Sequence, residues 1–428
     1  MSSTQRAAAL AVIVAALGYF VDIYDLILFG MVRTSSVTEL LKDEGIAATK
    51  ELLTDKGLHL LNMQMGGMLL GGILWGILGD KRGRLSVLFG SITLYSLANI
   101  ANGMVGSIES YAICRLIAGI GLAGELGAGI TLVSELMGKH NRGIGTTLVA
   151  ALGVLGGIAA GLVGGAFPGI GVHWRTAYYI GGGMGLALLL LRIGVVESGM
   201  FHATAAKASV ARGNFFSLFT SRKRFVRYLA IICVGVPVWY VIGILFTLAP
   251  ELGGALGLSP APKGATSLFF VYAGCSVGGM ASGLLCQYLR SRKKTLGLFL
   301  VFVTVMVIVY FTLGGMSLSG FYVIALLGGM STGYWAVFVS TSAELFGTNL
   351  RATVATTVPN FVRGSLVLVA MLFTELKDRI GLLEAAAAVG ALTLVIAFVG
   401  LLGLHETFGV DLDYVEDDEA LPKATAVG

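Results

Sequence analysis

The sequence predicts an all-α membrane protein of twelve transmembrane helices, arranged as two six-helix bundles related by pseudo-symmetry. Three observations predict this class: an apolar composition, twelve long apolar runs and an internal repeat. Hydrophobic residues make up 56% of the 428 residues, and charged residues only 12%. A soluble domain carries roughly 25% charged residues. Lipid must therefore surround most of this chain.

Twelve apolar runs are long enough to cross a bilayer, which takes about 20 helical residues. They lie near residues 7–30, 58–79, 87–105, 111–133, 144–166, 175–195, 228–250, 267–289, 295–315, 320–344, 353–374 and 382–404. The first run is too long for a signal peptide and lacks a clear cleavage site, which predicts an uncleaved helix. Twelve crossings place both termini on one side of the membrane.

The distribution of Lys and Arg predicts which side that is. With the N-terminus in the cytoplasm, 18 of the 29 basic residues fall in cytoplasmic segments and eight in outer segments. By the positive-inside rule, both termini of a multi-pass inner (plasma) membrane protein would be cytoplasmic. The net charge of +5 is thus explained without a nucleic-acid partner. In the outer segment 31–57, Ser36 and Glu39 have the spacing of a capping box, which predicts a short helix there.

The two halves of the chain repeat at an offset near 208 residues. Ser134–Gly138 followed by Arg142 aligns with Ala343–Gly347 followed by Arg351. A parallel repeat of two six-span halves predicts a substrate site between them, near the bilayer midplane. The predicted units are an N-terminal bundle (1–196), a cytoplasmic linker (197–227), a C-terminal bundle (228–408) and an acidic disordered tail (409–428).

Four motifs carry a resemblance to a known family. Gly76-Ile-Leu-Gly-Asp-Lys-Arg-Gly-Arg84 resembles the loop signature of the major facilitator superfamily, over about residues 7 to 408. The segments that begin at Arg115 and at Asn360 are similar to the proton-coupled metabolite symporters of that superfamily. Asp22-Ile-Tyr-Asp25 resembles the paired aspartates of the organic-acid symporters. The resemblance implies the major facilitator fold and a carrier that is not an enzyme and needs no cofactor.

The same resemblance implies a gate at the cytoplasmic face. Its candidate residues are Gly76, Asp80, Gly83, Arg84, Glu135, Arg142, Glu344 and Arg351. Asp80 would pair with a base or cap a helix, because acids contribute little to topology. Glu135 would pair with Arg142, and Glu344 with Arg351. The alternative is a set of solvated ion pairs, each worth about 0–1 kcal/mol.

Ionisable residues inside the spans are candidates for proton coupling, because a charge in a membrane is costly and usually functional. They are Asp22, Asp25, Arg115 and Glu125. Asp25 and Arg115 lie at similar depths in the first and fourth spans, which predicts a carboxylate–guanidinium pair. The alternative for this pair is a purely structural salt bridge. For Glu125, a second proton site and a helix-packing acid remain equally open.

A membrane-buried cation, Arg363, predicts the substrate class. Its fork of donors suits a carboxylate. Asn360 and Arg363 share one helical face, beside Pro359. Its own half offers no interior acid, so a ligand or carbonyl partner is predicted; the alternative is an acid that locks helices together. Trp239, Tyr240, Tyr334 and Trp335 are candidate cavity walls, or else packing and interfacial anchors.

Other chemistries find no support in the sequence. Gly119-Ile-Gly-Leu-Ala-Gly124 matches a dinucleotide-binding fingerprint, but no strand precedes it, so close helix packing is predicted instead. We find no catalytic triad and no metal-ligand spacing among the histidines and cysteines.

These observations together predict a secondary active transporter. It would move a small organic solute, preferably a carboxylate anion, with protons by alternating access, as a monomer. A proton-driven exporter of drugs or metabolites, an uncoupled facilitator and a membrane solute sensor remain as alternatives.

Overall fold

The structure, a computed structural model, describes residues 3–82, 84–127, 142–197, 215–312 and 317–410, and every regular element in these ranges is helical. The α-helices are α1 (Ser3–Asp43), α2 (Lys50–Arg82), α3 (Arg84–Asn102), α4 (Ile108–Leu122), α5 (Arg142–Val163), α6 (Trp174–Glu197), α7 (Arg222–Tyr240), α8 (Ala249–Ala255), α9 (Gly264–Leu289), α10 (Arg292–Thr312), α11 (Leu318–Thr332), α12 (Trp335–Glu344), α13 (Thr348–Ile380) and α14 (Leu382–Leu402). A 3-10 helix (Phe215–Leu218) precedes α7, and a π-helix (Val241–Phe246) follows it.

These helices form the twelve crossing segments that the apolar runs predict. Nine helical stretches of the described chain are long and apolar enough to span a membrane. The other three crossings, α3, α4 and α5, adjoin residues outside the described ranges. The seventh crossing combines α7, the π-helix and α8, and the tenth combines α11 and α12. We call the face at which α1 begins the N-terminal face, and the other the opposite face.

The first helix is longer than the sequence suggested. It continues to Asp43, and only a short turn, 44–49, separates it from α2. Ser36 lies inside the helix, where its hydroxyl donates to the carbonyl of Arg33 at 3.2 Å, so it caps no helix. The predicted capping box and separate short helix are therefore wrong. The extension is held by its apolar face, since Val37, Leu40 and Leu41 are buried.

The two halves meet through two equivalent pairs of helices. In the contact of α2 with α13, Gly72 faces Asn360 and Gly76 faces Thr357. In the contact of α5 with α9, Gly157 lies against the ring of Tyr272. The internal repeat relates α2 to α9 and α5 to α13, so each contact is the counterpart of the other. Glycine allows the close approach because lipid provides no hydrophobic force between helices.

The glycine motif of the fourth span packs helices, as predicted. A β-carbon on Gly119 would overlap the carbonyl oxygen of Gln64 in α2, and one on Gly121 would lie 2.5 Å from the backbone nitrogen of Tyr95 in α3. At Gly124 it would lie 2.7 Å from the β-carbon of Ser91. The three glycines therefore bring α4 against both α2 and α3.

The connection between the halves is described only at its end. Phe215 and Leu218 are buried, and the ring of Phe215 lies 6.3 Å from that of Phe361 in α13. The helix α7 begins at Arg222, six residues before the predicted start of the seventh span. Residues 198–214 of the predicted linker, and 411–428 of the predicted tail, lie outside the described residues.

Candidate functional site

A cavity lies between the two halves. Its walls come from α1 and α5 of the first half and from α7, α9, α11, α12 and α13 of the second. The lining includes four aromatic residues, Tyr19, Trp239, Tyr272 and Trp335, and one cation, Arg363. Its position between the halves is the one that the repeat predicts.

Arg363 is fully buried and faces both the cavity and an acid. Its Nη2 lies 3.4 Å from Oδ2 of Asp22 in α1, and its Cζ lies 5.9 Å from the centre of the Trp335 ring. The Nε and Nη1 donors have no hydrogen-bond partner in the described chain. The prediction that Arg363 has no acid partner is therefore wrong. That prediction considered only the acids of the second half, which contains Arg363, whereas Asp22 belongs to the first half.

Asn360 joins the halves and does not line the cavity. Its Nδ2 donates to the carbonyl of Ala123, just beyond the end of α4, at 2.7 Å and to that of Thr356 at 2.8 Å. It shares a helical face with Arg363, as predicted, but lies one turn nearer the N-terminal face. In this conformation both donors of the amide are used for packing, and Asn360 is not a wall of the cavity.

Only two of the four candidate aromatic walls reach the cavity. Trp335 does, and its Nε1 donates to the hydroxyl of Tyr19 at 3.1 Å; Trp239 does too, and its Nε1 has no partner within the described residues. Tyr240 instead donates to the carbonyl of Ala386 at 2.7 Å, and Tyr334 to that of Val234 at 2.8 Å. Adjacent helical residues point about 100° apart, so one of each pair turns into the second half.

The predicted pair of Asp25 and Arg115 is not formed. Arg115 donates to Oε1 of Gln64 and, at 3.2 Å, to the hydroxyl of Tyr178, and its guanidinium lies 4.1 Å from the centre of the Phe29 ring. Both carboxylate oxygens of Asp25 are buried without a hydrogen-bond partner in the described ranges. Because Asp25 and Arg115 lie at similar depths in their spans, the sequence predicts that they share one region of the membrane. Depth alone does not determine which residue each of them contacts.

Glu125 has a partner that the sequence analysis missed. Arg192 of α6 bonds both carboxylate oxygens, through Nη2 to Oε1 and, at 3.0 Å, through Nη1 to Oε2. Both side chains are almost completely buried. Arg192 is, with Arg115 and Arg363, one of three basic residues inside the predicted spans. In this conformation the pair occupies both carboxylate oxygens of Glu125.

At the N-terminal face, Glu344 does not pair with Arg351. It forms a two-pronged ion pair with Arg292, at 2.8 and 3.1 Å, while Arg351 donates to the carbonyls of Ala343 and Phe346. Arg292 lies 208 residues after Arg84, so the repeat pointed to it.

Among the other gate candidates, Gly76 contacts α13, as described above. Gly83 and Glu135, and the side chains of Asp80, Arg84 and Arg142, lie outside what the structure describes.

On the opposite face, two ion pairs join the halves. Nη2 of Arg33 in α1 lies 2.6 Å from Oε1 of Glu251 in α8, and Nζ of Lys377 in α13 lies 2.5 Å from Oδ1 of Asp55 in α2. The first pair is largely buried, whereas Asp55 is 45% exposed. The sequence analysis singled out neither. Together they hold the halves against each other above the cavity.

Comparisons with known proteins agree with this architecture. The family model of the Major Facilitator Superfamily matches residues 10–371. The 3-(3-hydroxy-phenyl)propionate transporter of Escherichia coli (strain K12) is 27% identical over 68% of this chain and 72% of its own. The probable 4-methylmuconolactone transporter of Cupriavidus pinatubonensis is 26% identical over 82% of both chains. The proton:xylose symporter XylE superimposes with a TM-score of 0.72, at 14% identity, over 96% of this chain and 98% of its own.

Proposed function

The chain belongs to the Major Facilitator Superfamily, whose members are carriers and not enzymes, and from this premise we propose that it carries a small organic carboxylate together with protons. The solute would bind in the cavity between the halves and reach either side of the membrane as the halves rock about it. We place both termini in the cytoplasm, the chain in the plasma membrane, and the functional unit at one monomer.

The observation that carries the proposal is the pair of unpartnered guanidinium donors on Arg363. They lie in a membrane-buried cavity with aromatic walls, where an unsatisfied charged donor is costly. Each of these donors forms a parallel fork with Nη2, so a carboxylate could accept two hydrogen bonds from Nη2 and one of its neighbours once Asp22 releases Nη2. The indole Nε1 of Trp239 is a further donor on the wall that has no partner among the described residues.

The walls favour a carboxylate with an apolar or aromatic body. The rings of Tyr19, Trp239, Tyr272 and Trp335 would contact that body, while Arg363 binds its charged end. Relatives named for 3-(3-hydroxy-phenyl)propionate and 4-methylmuconolactone support a ring-bearing organic acid or lactone as the solute class.

Asp22 provides the link to the proton. As a carboxylate it occupies one donor of Arg363, and a substrate carboxylate would compete for the same guanidinium. Protonation of Asp22 removes its charge and releases Arg363 for the solute. A proton and an anion would therefore enter the site together, which couples their movement.

Binding of 3-(3-hydroxyphenyl)propionate to the purified protein tests the substrate class. We expect Arg363→Gln to weaken its affinity about 10- to 100-fold, because a charge-assisted hydrogen bond is worth about 1.5–3 kcal/mol, and Arg363→Lys to weaken it less. Tyr334→Phe is the control, since its ring lies outside the cavity, and should leave affinity unchanged. Unchanged affinity in Arg363→Gln with a large fall in melting temperature would refute the assignment, as would equal binding of the neutral amide of the same acid.

Transport in proteoliposomes tests the coupling. Asp22→Asn should abolish accumulation driven by a proton gradient, because the position can no longer change its charge. Exchange of labelled for unlabelled solute should continue, since it needs no net proton movement. Accumulation that persists in both Asp22→Asn and Asp25→Asn would assign coupling elsewhere, and solute binding without any exchange would indicate a sensor.

A further inference from the structure

A stripe of buried polar side chains runs along α3, inside the first half and away from the cavity. Ser91, Tyr95, Asn99 and Asn102 follow one another at intervals of four, four and three residues, so they share one face of the helix. All four are at most 1% exposed. None of them lines the cavity between the halves. At 1.5 Å per residue, the stripe is about 16 Å long.

Glycines of α6 bring a further hydroxyl and Asp25 of α1 to this stripe. A β-carbon on Gly181 would overlap Oδ1 of Asp25, and one on Gly185, a helical turn further on, would overlap Oγ of Ser96. Asp25 and Ser96 thus occupy neighbouring positions on one glycine-lined face of α6. The carboxylate of the first helix therefore reaches into the first half and does not point at the solute cavity.

The polar atoms along the stripe largely lack protein partners. Oγ of Ser91 donates to the carbonyl of Leu88 at 3.4 Å, and Nδ2 of Asn102 donates to Oδ1 of Asn99 at 3.4 Å. The side chain of Asn99 faces the carboxylate of Asp25. No well-formed hydrogen bond in the described ranges reaches either carboxylate oxygen of Asp25, the hydroxyls of Tyr95 and Ser96, Nδ2 of Asn99 or Oδ1 of Asn102. A buried polar group left unpaired costs about 1–3 kcal/mol, and internal water is the usual way that proteins satisfy such a group.

The stripe connects two carboxylates of the first half. The hydroxyl of Tyr95 is within electrostatic range of Asp25 on one side and of the Glu125–Arg192 pair on the other. The ionisable groups that face Asp25 are Asp22 and Tyr24 on its own helix, Arg115 on α4, Tyr95 on α3 and Tyr178 on α6. Asp22, three residues from Asp25, is in turn the partner of Arg363.

We propose that the polar face of α3 binds a file of water molecules that conducts the proton within the first half, separately from the solute. The file enters near Asn102 on the opposite face, reaches Asp25, and continues past Tyr95 toward Glu125. Each water or hydroxyl accepts one proton and donates another, so no bond other than O–H changes. The inference rests on the proposed proton coupling, and Asp22 is the point at which the proton path meets the solute site.

The test compares two movements through the same protein in proteoliposomes, with 3-(3-hydroxyphenyl)propionate as the probe. Proton uptake that accompanies solute entry is followed with an internal pH dye, and solute exchange is followed with label. Asn99→Leu and Asn102→Leu keep the number and branching of the heavy side-chain atoms but remove the polar ones. We expect each to slow proton uptake about tenfold or more, with exchange and affinity within about twofold of the wild type.

Two further variants control for structural damage. Asn99→Ser replaces the amide with a hydroxyl and should recover much of the proton uptake that Asn99→Leu loses. Thr93→Val removes a hydroxyl of α3 that is already bonded to the carbonyl of Phe89, and should leave both movements unchanged. Equal proton uptake in wild type, Asn99→Leu and Asn102→Leu would overturn the inference, as would a parallel loss of exchange.

The result also separates this inference from the proposed function. If the wild type takes up solute without protons, both the proposed coupling and the proposed proton file are refuted. If the wild type is coupled and Asp25→Asn is not, but the α3 variants remain coupled, only the route along α3 is refuted.

Discussion

At the scale of single residues, the same side chain serves different purposes according to its partners. Arg192 has a matching carboxylate in Glu125, so the pair is satisfied within the first half. Arg115 bonds two neutral groups and lies on an aromatic ring. Arg363 has one acid partner and two unpartnered donors beside a cavity. Arg115 and Arg192 each keep one Nε donor without a partner among the described residues, but of the three only Arg363 lines the cavity, where a solute could reach its donors.

Glu406, beyond the last span, shows how an acid outside the membrane secures a loop. Its carboxylate accepts a hydrogen bond from the hydroxyl of Ser291 and from the backbone amides of Arg292, Lys293 and Phe408. Partial burial acts to raise the pKa of Glu406, but the hydrogen bonds outweigh it and lower the pKa below 4.5. The ionised form therefore ties the chain after α14 to the start of α10.

This geometry predicts a pH-dependent contribution to stability. Because the folded pKa is lowered, the contribution is complete above the unfolded pKa of about 4.3 and is lost as pH falls through the folded value. Glu406→Gln should lower the melting temperature by about 1–2 °C near pH 7, and the difference should vanish in acid. Melting curves of both proteins from pH 3 to 7 would check this. A difference that grows toward low pH would contradict the assignment.

At the scale of elements, glycine decides how closely helices approach. A β-carbon on Gly67 of α2 would overlap the carbonyl oxygen of Leu116 in α4, whereas Gly66 has no neighbour within 4 Å. On the other side of the same crossing, Gly119 of α4 lies against the backbone of Gln64. The two helices therefore meet backbone to backbone, which positions Gln64 and Arg115 for their hydrogen bond.

Adjacent glycines provide a matched test of this packing. Gly67→Ala should lower stability by about 1–3 kcal/mol, because overpacking forces the two helices apart. Gly66→Ala should be neutral or slightly stabilising, since Ala is the better helix former by about 1 kcal/mol. Unfolding in detergent, followed by circular dichroism, would compare the two. Equal effects of both substitutions would show that the crossing tolerates a methyl group.

At the scale of the whole molecule, ion pairs join the two halves on the opposite face. The ion pairs Arg33–Glu251 and Asp55–Lys377 each join one half to the other there. Nearer the N-terminal face, Asn360 joins α13 to the end of α4. A rocking carrier must exchange such contacts in each cycle, and single hydrogen bonds and ion pairs are weak enough to allow it.

The predicted topology can be tested on the whole chain. In a background without native cysteines, Lys50→Cys should react with a membrane-impermeant thiol reagent added outside, and Arg222→Cys only after the membrane is permeabilised. Both positions are exposed on the molecule, at the start of α2 and of α7. The physical reason for this orientation is the excess of Lys and Arg on the cytoplasmic side. The reverse pattern, or equal labelling from outside, would refute cytoplasmic termini.

The sequence by itself determined the class, the twelve crossings, the repeat and the place of the cavity, because apolar run length, charge and self-similarity are properties of the chain alone. It also marked Asp22, Glu125 and Arg363 as buried ionisable residues. Only the tertiary structure decided their partners, which are Asp22 for Arg363 and Arg192 for Glu125. Helical periodicity fixes which residues share a face, but the neighbour that meets that face comes from distant parts of the chain. For the same reason Trp239 and Trp335 reached the cavity while Tyr240 and Tyr334 turned into the second half.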